Sequence, residues 1–137
     1  MITAVDANVI LNTLTGSPNE ISLAHAALRE AQATGSIVTS AVCYAEVAQR
    51  FQAKAKADDF FALLGCNIEP LDEDTAFLAG QFARQYRLRG GNRSRILPDF
   101  LIAAHAQLRA DRILTRDKRF FKNTFPKLNA ISPEDFL

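Results

Sequence analysis

Apolar positions along this chain alternate between short runs and helically spaced stripes. Ile2 to Val5 is a short apolar run closed by Asp6, which predicts a buried strand. From Glu20 to Ala33, apolar residues at 21, 24, 28 and 31 give a helical stripe that Gly35 stops. Ile37-Val38-Thr39 reads as a second strand, and Ser40 is placed to cap the helical stretch that follows. Helical pattern fills Ala41 to Leu64, long enough for two helices, and ends at Gly65. Asn67 to Leu71 is a weak third strand. Asp72 or Asp74 then caps a helix with apolar positions 76, 79, 82, 83 and 86. Pro98 and Asp99 open a helix that runs through Arg109. Ile113-Leu114-Thr115 forms a fourth strand, and Leu128 to Ile131 a fifth.

Strands alternating with helices predict an α/β fold with a mostly parallel sheet. Right-handed crossovers place helices on both of its faces. Ligands of such sheets bind beyond the carboxyl ends of the strands, where strand order reverses. With no repeat, linker or low-complexity tract, the expectation is one domain over residues 1–137.

Composition narrows the class. Apolar residues make up 48% of the chain, too many for a disordered segment. Two cysteines, Cys43 and Cys66, sit in apolar runs without a Cys-x-x-Cys pair, so they read as buried thiols of an intracellular protein. Met1 leads directly into the first strand without the basic flank of a signal peptide, and no run is long enough to span a membrane. The expected location is the cytoplasm.

The net charge of +1 conceals an asymmetry. Residues 1–70 hold 4 Lys and Arg against 7 Asp and Glu, whereas residues 71–137 hold 12 against 8. Five arginines and no acid lie between Arg84 and Arg95, and a second basic cluster runs from Arg109 to Lys122. Such clusters commonly form solvated helix faces. Arg93 and Arg95, however, follow the turn-forming Gly90-Gly91-Asn92, which places them on a loop.

Four acids fall at or near the predicted strand ends: Asp6, Glu46, Asp99 and Asp117. Each has an ordinary use. Asp6 suits an Asx-turn, Asp99 a helix dipole, Asp117 a polar turn, and Glu46 the one wet position of an apolar helix. If the first and fourth strands are neighbours, all four converge at one sheet edge. Converging carboxylates repel, and a hard divalent cation removes that cost. Asn8 and Thr115 are placed to orient the carboxylates. The two histidines, His25 and His105, have no partners at ligand spacing, and no Gly-Lys-Ser/Thr phosphate loop is present.

At four places the sequence resembles the PIN domains, and among them the VapC-type toxins of type II toxin–antitoxin pairs. These are Asp6-Ala7-Asn8-Val9-Ile10, Ser40 followed by Glu46, Pro98-Asp99-Phe100-Leu101-Ile102-Ala103-Ala104-His105-Ala106, and Leu114-Thr115-Arg116-Asp117-Lys118-Arg119-Phe120. The resemblance implies a three-layer α/β/α fold with a central parallel sheet of order 3-2-1-4-5. It implies an endoribonuclease acting on RNA of the tRNA or rRNA class by metal-activated water. Asp6, Glu46, Asp99 and Asp117 would hold one or two Mg²⁺ ions, with Mn²⁺ able to substitute. It also implies a cognate VapB-type antitoxin, whose tail enters the acidic site, and a homodimer. The basic residues Arg93, Arg95, Arg116, Lys118 and Arg119 are the expected phosphate contacts. The apolar stretch Phe51 to Leu64 would serve an interface or the core. Two alternatives remain: a non-catalytic RNA- or protein-binding regulator on the same fold, and a PIN nuclease outside toxin–antitoxin systems, including one acting on DNA.

Overall fold

The computed structural model describes residues 1–91 and 97–136. It contains one five-stranded sheet of order β3-β2-β1-β4-β5, parallel throughout. The strands are β1 (Ile2–Val5), β2 (Ser36–Ser40), β3 (Cys66–Glu69), β4 (Arg112–Leu114) and β5 (Ala130–Ile131). The helices are α1 (Ala7–Asn12), α2 (Pro18–Ala33), α3 (Ala41–Ala48), α4 (Lys54–Leu64), α5 (Glu73–Leu88), α6 (Leu97–Arg109) and α7 (Lys118–Thr124), before a final 3₁₀ turn at Pro133–Phe136. Helices connecting parallel strands and a strand order reversing between β1 and β4 make this the PIN-like α/β/α arrangement.

Local chemistry sets most boundaries. Ser17 and Glu20 form a reciprocal capping box, so α2 begins at Pro18 rather than at Glu20. Ser40 accepts the Cys43 amide and starts α3, and Asp72, not Asp74, caps α5 through the Thr75 amide. The stretch 41–64 divides into α3 and α4. Gly65 ends α4 at φ 67, and a side chain there would collide with Gln32, whose amide donates to the Leu64 carbonyl at 3.0 Å. Within α5 the expected stripe shifts slightly: Ala79 is buried but Ala76 is exposed.

Four strand limits differ from those expected. β2 runs one residue further at each end, from Ser36 to Ser40. β3 lies at Cys66–Glu69 instead of 67–71, because Ile37 pairs with Cys66 and Ser40 with Glu69. β4 starts at Arg112, whose partner is Thr3, and Thr115 follows its end. β5 is confined to Ala130 and Ile131. The core is built from the inner strands with Ile10, Val47, Phe61, Phe121 and Phe125, all essentially inaccessible. Phe125 joins Phe82 and Phe100 at ring separations of 4.8 and 5.9 Å, fixing α5, α6 and the end of α7 together. The stretch Phe51 to Leu64 divides between both expected uses: Phe61 is core, whereas Leu63 is 88% exposed. Both cysteines are buried free thiols. No helix among the described residues is long and apolar enough to cross a membrane.

Candidate functional site

Asp6 directly follows β1, the central strand, and Leu114 ends β4 beside it; the Asp6 amide donates to the Leu114 carbonyl at 2.9 Å. The Asp6 side chain, only 6% exposed, accepts the Thr115 hydroxyl at 2.8 Å. The same hydroxyl oxygen accepts the Asp117 amide at 3.0 Å. One buried threonine therefore ties the first acid to the turn that carries the fourth. Thr39, which the sequence pattern did not single out as functional, completes the floor by donating to the Val5 carbonyl at 2.7 Å. No local signal reveals it, because its partner lies on another strand.

Asp99 sits in the first turn of α6, and α6 packs on α3, β1 and β4. Glu46 lies half-buried on α3. Both are close enough to act on Asp6 electrostatically. Burial pushes the Asp6 carboxyl up to about 6, and the negative charges of Glu46 and Asp99 add to that; the Thr115 hydroxyl and the Ala7 amide pull the other way. The Glu46 carboxyl is raised as well, by burial first and by Asp99 second. Beneath them the Cys43 thiol is pushed up to about 12, chiefly by burial and then by Asp6, which keeps it protonated and unsuited to nucleophilic attack.

The donor set is entirely carboxylate oxygen, the chemistry that hard divalent ions prefer. Among the described residues, no three His, Cys, Asp or Glu side chains form a closed ligand set. Asp6 feels the charges of Glu46 and Asp99, and the Thr115 hydroxyl ties it to the amide of Asp117.

The other expected site residues are placed as follows. Asn8 accepts the Arg116 amide through Oδ1 at 3.1 Å, so it holds the loop after β4 rather than a carboxylate. Arg116 lies 3.8 Å from both Glu20 and Glu134, and Lys118 bonds Asp135 at 2.8 Å, so both are already paired with acids. Arg119 is exposed. Arg93 and Arg95 lie outside the described residues. His105 is buried on α6 with its Nε2 2.7 Å from Glu69 Oε1, and His25 is half-buried on α2.

Residues 3–126 match the PIN domain family. The chain belongs to the PIN-domain family. No curated protein gives a significant sequence match. Among solved structures, VapBC2 from Rickettsia felis, bound to a DNA fragment from its promoter, superposes with a TM-score of 0.74 at 18% identity, covering 96% of this chain and 98% of that one. VapBC-1 from nontypeable Haemophilus influenzae gives 0.71 at 21% identity over 98% and 99%. FitAB bound to the IR36 DNA fragment gives 0.70 at 26% identity over 97% and 95%. These likenesses span nearly the whole chain.

Proposed function

We propose that this PIN domain is a divalent-metal-dependent endoribonuclease and the toxin of a VapBC-type toxin–antitoxin pair. The observation that carries the proposal is Asp6: a carboxyl buried at the sheet's switch point, held by Thr115, with Glu46 and Asp99 as like-charged neighbours. A fold does not retain such an arrangement for stability, since it raises the energy of the ionised site.

Asp6, Asp99 and Asp117, with Glu46 directly or through water, would hold Mg²⁺ or Mn²⁺. A divalent ion in that position supplies an activated water nucleophile and neutralises charge developing on the scissile phosphate. Thr115 keeps the Asp6 oxygen aimed and the Asp117 turn in place. Burial of Asp6 excludes bulk water from its side of the site, which strengthens every charge interaction there. Hydrolysis by water makes no use of the RNA 2′-hydroxyl, so the products are a 5′-phosphate and a 3′-hydroxyl.

The VapBC likeness supports a VapB-type antitoxin as the partner, with its tail in the acidic site, and a second copy of the chain as a homodimer partner. RNA of the tRNA or rRNA class is the proposed substrate. The test is cleavage of cellular RNA after induction, with end mapping beside Asp6→Ala. Metal-dependent cuts absent from the variant support the proposal. A chain that gains no thermal stability from Mn²⁺ and cuts nothing favours the non-catalytic regulator instead.

A further inference from the structure

Beyond the acids, a cleft of about 480 Å³ lies along β5. Lys118, Lys122, Lys127, Asn129, Ala130 and Ile131 are among its lining residues. β5 is the last strand of the sheet, so among the described residues no strand pairs with its far side. Asn129 and Ile131 give their carbonyls to β4, accepting the Ile113 and Thr115 amides at 2.9 Å each. By the alternation of a strand, Ala130 turns its own amide away from β4.

The lysines follow from the same geometry. Lys118 and Lys122 stand four residues apart on α7 and so share one of its faces, roughly 6 Å apart along its axis. Lys118 is partly neutralised by Asp135. Lys122 and Lys127 are exposed, and among the described residues neither forms an ion pair. From residue 118 to 127 the sequence carries four basic residues and no acid. The cleft begins next to the acids: Lys118 follows Asp117 directly, and Ile131 is paired with Leu114 at the end of β4. It runs from there toward the amino end of the sheet.

We propose that this cleft is a binding track for the substrate strand on one side of the cut. Lys122 and Lys127 hold backbone phosphates of single-stranded RNA beyond the scissile bond. A row of lysines along the cleft contacts phosphates without reading base identity, so the track contributes affinity and register rather than sequence choice. The inference deepens the ribonuclease reading and rests on it for the identity of the strand.

The test is binding of a fluorescein-labelled 12-nucleotide single-stranded RNA to the full chain in chelator, by anisotropy across a salt series. K122Q/K127Q should reduce the salt slope by about 1.4 and weaken binding about 25-fold at 0.1 M salt, the counterion-release values for two single-strand contacts. K54Q/K56Q, on α4 beside the opposite edge of the sheet, serves as the charge-matched control. Equal binding by K122Q/K127Q and the unsubstituted chain overturns the proposal. So does an equal loss in the control, which would indicate bulk charge alone. Unchanged RNA binding with lost affinity for an acidic antitoxin peptide would assign the cleft to the protein partner and also overturn it. Cleavage is scored separately with Mn²⁺: lysine-dependent binding without cutting refutes the nuclease, whereas cutting with lysine-independent binding refutes the track.

Discussion

Replacing Asp6 by Asn should stabilise the metal-free protein while abolishing its activity. The Asp6 carboxyl titrates near 6 in the fold, against an ordinary value of 3.8. That interval corresponds to about 3 kcal/mol disfavouring the folded chain at neutral pH. The sign follows from proton binding. Between those two values the folded state holds the proton more tightly, so this contribution is fully present below about 3.8 and is lost as pH rises through about 6. Asparagine has nearly the same shape, still accepts the Thr115 hydroxyl, and carries no charge to bury. With an unfolding entropy of about 2.1 cal/mol/K per residue, a gain of 3 kcal/mol raises Tm by roughly 10 °C. The assay is calorimetry in chelator at pH 7.5 and pH 4.5. The difference between variant and parent should shrink to about 1 kcal/mol at the lower pH, where folded Asp6 is already protonated. A variant no more stable than its parent at pH 7.5 refutes the electrostatic account of the site.

Four further outcomes follow from the same geometry. Thr115→Val removes the donor to Asp6 and the acceptor of the Asp117 amide, so urea denaturation should show a loss of about 2–4 kcal/mol. That variant should also move the Asp6 carboxyl to a higher pKa, visible in its NMR titration, because the lost bond favoured the charged form. Glu46→Gln or Asp99→Asn removes a like-charged neighbour, so the Asp6 titration should move to lower pH in each; an unmoved midpoint would separate that residue from the site. Mn²⁺ at one hundred times its Kd should stabilise the parent by about 2.7 kcal/mol and the Asp6→Asn variant far less.

The alternation of strands and helices was legible in local signals, whereas the order of the sheet came from the resemblance to PIN domains. A short apolar run ended by an acid marks β1 and Asp6, and Pro98-Asp99 marks the start of α6, which the structure begins one residue earlier. The helices α1 and α7 escaped notice. At 6 and 7 residues they are too short to persist alone and exist through their contacts with the core, where Val9, Ile10 and Phe121 are buried. Thr115 was legible as a residue that orients a carboxylate, but the near-complete burial of Asp6 was not. The basic residues after β4 show a different gap. Sequence places Arg116 and Lys118 next to Asp117, but only the fold brings Glu20, Glu134 and Asp135 against them.

The central claim is that the acids around Asp6 direct metal-dependent hydrolysis of RNA. Its most direct test is incubation of purified chain with RNA in Mn²⁺ or chelator, followed by chemical identification of the new ends. The account predicts cuts that require the metal, vanish in Asp6→Asn, and carry 5′-phosphate and 3′-hydroxyl groups. Cleavage that persists in chelator, or that leaves 2′,3′-cyclic phosphates, would contradict it.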